Sequence, residues 1–189
     1  MIFSQFINIY LNVLKINKNY FNNKNNFGEA AIYFAISIVI INALISIIPN
    51  SAFLEFMSSY FSLGKIAGPS LKAAVITSVI GWFIKSCYIH FAGVVLFPNK
   101  NTNCNFRKTL ILTGLAQSPL IFNFLVLNQV MLPLVFLTYI WYNICLIVGI
   151  NIVYNYKNIV KSSLIVLAPL IFFFLYILSN LAGTSATLT

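Results

Sequence analysis

Residues 109–156 read TLILTGLAQSPLIFNFLVLNQVMLPLVFLTYIWYNICLIVGINIVYNY, and they lie between Lys108 and Lys157. Apart from Tyr and Cys, this stretch holds no side chain that ionises. As one helix rising 1.5 Å per residue it would measure roughly 70 Å. The hydrocarbon core of a bilayer is only ~30 Å thick, so the stretch is too long for one crossing and about right for two. Asn128-Gln129 is its most polar dipeptide, and Pro133 follows where a first helical turn tolerates proline. The expected division is therefore two spans, Leu110–Leu127 and Val130–Val153, joined as a tight hairpin.

Outward from that pair, three further apolar runs have the right length. Ala30–Ile48 is closed by Pro49-Asn50, and Ala73–Phe97 by Pro98-Asn99. Ser162–Leu181 precedes a polar tail, 184–189. The chain as a whole is 60% hydrophobic and 7% charged, with mean hydropathy +0.93. A soluble domain carries about 25% charged residues because its surface must face water. A chain this poor in charge must turn its outside to lipid. The expected fold class is all-α, a polytopic membrane helical bundle of five transmembrane helices. The expected organisation is an interfacial helix and hinge at 1–27, a membrane domain at 28–183, and the tail.

Eleven Lys and Arg stand against two acids, Glu29 and Glu55, for a net charge of +9. With five crossings, the N-terminal arm, the second loop and the fourth loop share one side. They hold Lys15, Lys18, Lys24, Lys100, Arg107, Lys108, Lys157 and Lys161, while the other side holds Lys65 and Lys72. Eight against two is a positive-inside signal that puts the N-terminus in the cytoplasm and the C-terminus outside. Merging the hairpin into one span would put Lys157 and Lys161 opposite the rest, so the charges support the division independently of hydropathy. Lys15, Lys18, Arg107, Lys108, Lys157 and Lys161 are the expected contacts to lipid headgroups. No basic stripe stands outside the apolar runs, so nucleic acid is not an expected partner.

Met1–Tyr20 sorts Phe3, Phe6, Ile7, Tyr10 and Leu14 onto one helical face and Gln5, Asn8, Asn12, Lys15 and Asn19 onto the other. That is the pattern of a helix lying in the headgroup layer; the alternative is an ordinary helix packed on the bundle. The start lacks a basic n-region and a cleavage site, so it does not read as a signal peptide. Ser51–Lys65 is a weaker amphipathic segment, and Asn17–Asn26 reads as a hinge.

Lys85 stands at the middle of the second span. A charge there costs ~2.5–3.5 kcal/mol on insertion scales, so it is expected to face a cavity, partner or pathway. It can sit there as a neutral amine, bind a lipid phosphate or other anion, or reach water through a groove. The bland alternative is an offset or broken span near Gly81 that lets the amine snorkel to an interface. His90 does not share its face cleanly, and Cys87 with His90 supplies two metal-type donors without a third or fourth. Cys87, Cys104 and Cys145 imply no disulfide framework. Gln117, Asn123, Asn143 and Asn151 are span amides expected to bond across helices, worth well under 2 kcal/mol each. Pro119 and Pro169 are expected to kink or break their spans. Trp141 and Tyr142 read as packing, and Tyr154 and Tyr156 as interfacial. The spans hold no carboxylate, so acid–base catalysis lacks its parts, and no enzyme, cofactor or metal is expected.

With this layout the chain resembles the Yip-domain family of multi-pass membrane proteins, known from GTPase-linked trafficking and also found in prokaryotes. The likeness rests on Trp82, Tyr88 and Leu96 before Phe106-Arg107-Lys108-Thr109-Leu110, on Leu115-Ala116-Gln117-Ser118-Pro119, and on Trp141–Tyr154 ending in Val148-Gly149-Ile150-Asn151-Ile152-Val153-Tyr154. It spans roughly residues 1–183. Eukaryotic members carry a long cytosolic N-terminal region and an Asp-Leu-Tyr-Gly-Pro-type motif, and this sequence shows neither, so GTPase binding is not carried over. The Asn, Ile and Lys richness suits a prokaryote and its plasma membrane. The resemblance implies a scaffold contacting lipids, copies of itself or other membrane proteins; a small transporter, channel or lipid-translocating protein with a polar route around Lys85 is the competing expectation.

Overall fold

The computed structural model describes residues 2–22, 27–47, 71–99, 104–125 and 131–186. Ser51–Lys65, Asn128-Gln129, Glu55, Lys24 and Lys100 lie outside the described residues. The described chain is helical, with no strand. In order come α1 (Ile2–Leu14), α2 (Lys18–Asn22), α3 (Glu29–Ile45) and α4 (Leu71–Phe91), whose last turns continue as a π-helix over Ala92–Leu96. Then follow α5 (Phe106–Leu115), a 3₁₀ segment (Ser118–Leu125), α6 (Leu132–Val153) and α7 (Ile159–Ala186).

Adjacent helices alternate in direction, as their hydrogen bonds reveal. Trp82 and His90 of α4 reach Thr113 and Thr109 of α5 respectively, so those two helices are antiparallel. Tyr154 past the end of α6 reaches Thr109, while Thr138 near its start reaches Asn123. Hence α5 with its 3₁₀ continuation is antiparallel to α6. By contrast, α3 runs parallel to α5, with Ala35 against Gly114 and Asn42 against Gln117.

The third expected span is not one continuous α-helix over Leu110–Leu127. It ends at Leu115, turns at Ala116-Gln117, and resumes as the 3₁₀ segment. Pro119 is the cause, because it has no N–H and its ring clashes with the carbonyl four residues earlier, that of Leu115. Ser118 Oγ donates to that carbonyl at 2.6 Å, and Asn42 Nδ2 donates to the Gln117 carbonyl at 2.9 Å. Pro169, by contrast, is held within α7, and Pro133 sits in the first turn of α6.

Among the described residues, two helices are long and apolar enough to cross a bilayer alone, Leu71–Leu96 and Leu132–Val153. Glu29–Ile45 rises only about 26 Å and α5 about 15 Å. Five full-length transmembrane helices are therefore more than these helix lengths show. The outward faces are nonetheless apolar: only 28% of the α4 window and 39% of the α6 window is buried. A core helix of a soluble protein would be mostly covered. Here Ile76, Ile80 and Ile84 of α4 and Phe136, Leu137 and Ile140 of α6 are exposed, which suits contact with hydrocarbon.

The core runs along α3, α5 and α6, through Ile38, Leu112, Leu115, Leu146 and Ile150, all fully buried. Close backbone approach accounts for two glycines. A Cβ on Gly114 would stand 2.7 Å from Ala35 Cβ and 3.2 Å from its backbone. One on Gly93 would clash with the Tyr154 ring. Of the N-terminal helix, Val13 and Leu14 are buried, Cys145 Sγ donates to the Val13 carbonyl at 3.7 Å, and Ile7 and Leu11 face outward. Its C-terminal turn thus packs on α6. A cavity of about 530 Å³ separates it from α3, lined by Asn8, Asn12, Asn17 and Asn19 among others.

Candidate functional site

Helix α4 carries polar groups on two faces. On the first, Trp82, Ser86 and His90 recur every fourth residue and so form one stripe. They meet Thr109 and Thr113, also four apart, on antiparallel α5. Trp82 Nε1 donates to Thr113 Oγ1 at 3.0 Å and to the Leu110 carbonyl at 3.2 Å. Ser86 Oγ and Thr113 Oγ1 share a hydrogen bond of 2.6 Å. His90 Nδ1 lies 3.2 Å from Thr109 Oγ1 and 3.3 Å from the Tyr154 hydroxyl, which itself bonds Thr109 at 2.6 Å. Ser86, Thr109 and Tyr154 are fully buried.

The π-helical end of α4 locks onto the same seam. Widening the helix frees carbonyls, and the Tyr156 hydroxyl donates to those of Gly93 at 3.0 Å and Phe97 at 3.1 Å. Burial pushes the Tyr156 phenol up to about 12. It raises the Tyr154 phenol as well. Cys104 Sγ joins the cluster 3.4 Å from Thr109 Oγ1. Burial raises its thiol, while hydrogen bonds to Thr109 and Tyr154 and the Lys108 charge act the other way.

The second face carries Lys85. Its Nζ stands 4.3 Å from the centroid of the buried Tyr142 ring on α6. A desolvated cation–π contact is worth about 2 kcal/mol, which offsets most of the ~2.5–3.5 kcal/mol insertion cost of a mid-span charge. Glu29, the one carboxylate among the described residues, is at the start of α3 and makes no ion pair with Lys85. Lys85 lines a groove of about 770 Å³ between α4, α6 and α7, walled mainly by apolar side chains. Asn143 also lines it; its Nδ2 donates to the Tyr139 carbonyl at 2.8 Å, and its Oδ1 is buried without a partner.

The other expected residues are dispersed. Lys85 and Asn143 share the groove, whereas His90 belongs to the seam. Asn123 accepts from Thr138 Oγ1 at 2.6 Å, and Gln117 contributes its carbonyl to Asn42. The Asn151 Oδ1 is buried without a partner. Cys87 is exposed, and no group of three metal-type ligands occurs among the described residues. Trp141 stacks on Phe122 with centroids 6.0 Å apart. Lys15, Lys18, Arg107, Lys157 and Lys161 are exposed and Lys108 partly so. Because Thr109 bonds Tyr154, Arg107, Lys108, Lys157 and Lys161 gather at one end of the bundle. Arg107 and Lys108 are in the first turn of α5, where the helix dipole disfavours cations; helix stability does not explain them.

Reading the sequence missed the Trp82–Ser86–His90 and Thr109–Thr113 stripes, although their four-residue spacing was visible. It also missed Asn42 as the amide that closes the break at Pro119, and Tyr142 as the ring beneath Lys85.

An all-helical bundle with apolar outward faces, clamped by a dry polar seam, defines a helical protein of membrane-like character. The chain belongs to the Yip1 domain family, whose model, the Yip1 domain, matches residues 12–180. That match runs from the end of α1 into α7, and membership agrees with the apolar faces on a membrane protein. No curated protein and no solved structure matches the chain.

Proposed function

We propose that this protein is a non-enzymatic, multi-pass membrane scaffold that organises lipids or partner membrane proteins, with copies of itself among the candidate partners. The observation that carries this reading is the seam. Trp82, Ser86, His90, Thr109, Thr113 and Tyr154 are joined to one another across α4, α5 and the end of α6, an arrangement that supports a clamp between helices over a route for a solute. The chain crosses five times, the broken third segment included: about 15 Å of α-helix and about 16 Å of 3₁₀ helix together match the ~30 Å core. Alternating helix directions support that count. The basic end faces the cytoplasm of a prokaryotic cell, with Lys15, Lys18, Arg107, Lys108, Lys157 and Lys161 against anionic headgroups of the plasma membrane. Neither nucleic acid nor a GTPase enters this reading.

Two measurements test it. In intact cells, a membrane-impermeant maleimide should label Lys72→Cys and spare Asn158→Cys until the membrane is permeabilised; the reverse pattern would invert the topology. In proteoliposomes, folded wild-type protein should carry neither ions nor lipid. Flux that Lys85→Leu abolishes would replace the scaffold with a transporter or lipid-translocating protein.

A further inference from the structure

We infer that the groove between α4, α6 and α7 holds one acyl chain of an acidic membrane lipid, with the lipid's anionic head at Lys85. The inference rests on the membrane-embedded reading above, which the maleimide labelling tests separately. Three observations converge on it. The volume, about 770 Å³, falls within the range of about 300–1,000 Å³ typical of ligand pockets. The walls, Ile84, Leu164, Ile165, Pro169 and Phe172 among them, are apolar and suit a hydrocarbon chain. Among so many apolar groups stands one cation, Lys85.

That cation specifies the head. Lys85 has no carboxylate beside it among the described residues, and the Tyr142 ring covers only one side of its amine. An anion on the open side completes it. A choline head carries a fixed cation next to its phosphate, which opposes the Lys85 charge. A phosphate monoester, as in phosphatidate, brings negative oxygens with no cation beside them. Free inorganic phosphate shares that chemistry but would leave the apolar walls uncovered.

Native mass spectrometry of the full-length, detergent-purified protein tests this with phosphatidate, with phosphatidylcholine of the same chains, and with inorganic phosphate. Phosphatidate should be retained at least about tenfold better than phosphatidylcholine, a difference equal to one modest charge-assisted contact. Lys85→Gln should remove that preference, Lys85→Arg should keep it, and Leu164→Trp should lower retention of either lipid by filling the groove. The pair Lys157→Gln/Lys161→Gln should leave the Lys85-dependent adduct in place, because those lysines are on the surface. Equal retention of phosphatidate by folded Lys85→Gln, or its displacement by equimolar inorganic phosphate, would overturn the proposal. If Lys85→Gln does not fold, Leu164→Trp decides, and unchanged lipid retention by that variant is a refutation.

Discussion

The two polar faces of α4 differ in what meets them. Along the first, Trp82 Nε1, Ser86 Oγ and His90 Nδ1 each have a partner on α5 or at Tyr154. Around Lys85 there is one aromatic ring, an open groove and an acceptor left unsatisfied. The residues are neighbours on one helix, so composition does not separate them. Register does: four-residue spacing repeats a polar group toward the same antiparallel partner, while Lys85, one residue before Ser86, is rotated about 100° away from that stripe. A polar residue in a membrane helix is glue where its register is answered and a candidate site where it is not.

The seam side depends first on close packing, so its largest disruption should be steric. Gly114→Val would drive a side chain into Ala35, including its backbone, which cannot swing aside. A loss of about 3 kcal/mol is expected, the upper end for overpacking a tight contact, read as the shift of the unfolding midpoint in a mild detergent. A Gly114→Val protein as stable as wild type would mean that α3 and α5 do not pack at this distance.

Next in size come the hydrogen bonds. Ser86→Ala and Thr113→Val should each cost about 1 kcal/mol, with a coupling near 0.6 kcal/mol in a double-mutant cycle. Zero coupling would dissolve the seam as a unit. The groove side should respond with the opposite sign. In lipid-free detergent, Lys85→Leu removes an insertion cost of ~2.5–3.5 kcal/mol and forfeits a cation–π contact of about 2 kcal/mol. The net is a gain of roughly 1 kcal/mol. Destabilisation by Lys85→Leu comparable to that of Ser86→Ala would show that both faces are structural, and the contrast would collapse.

How much of this was legible beforehand follows the same division. The absence of charge from Lys108 to Lys157 announced apolar helices, and Lys85 announced itself by being charged mid-run. Pro119 marked a break, but nothing local said that a 3₁₀ segment would continue the chain or that Asn42 would close the gap. Pairings such as Trp82 with Thr113 or Lys85 with Tyr142 depend on which helices are neighbours and on their direction. Periodicity within one helix carries no such information. The Yip1 domain resemblance was readable because it rests on short stretches in fixed order, and the match over residues 12–180 bears it out.

The smallest expected effect probes the outer end of the seam, where Cys104 bonds Thr109. Burial raises its thiol above the ordinary 9.0, with the Thr109 and Tyr154 hydrogen bonds and the Lys108 charge only partly opposing. The sign follows from linkage: as pH climbs past 9 the unfolded thiol releases its proton first, so the folded state loses stability through that range and not below it. The thiolate is the reactive species. In a Cys87→Ser/Cys145→Ala background, alkylation of native Cys104 should therefore lag that of the denatured chain at neutral pH and accelerate only at a pH above the denatured chain's. Thr109→Val removes one of the bonds that favours the thiolate and should push that acceleration higher still. If the native and denatured profiles coincide, this end of the seam is open to water, and the dry clamp extends no further than Ser86 and Thr113.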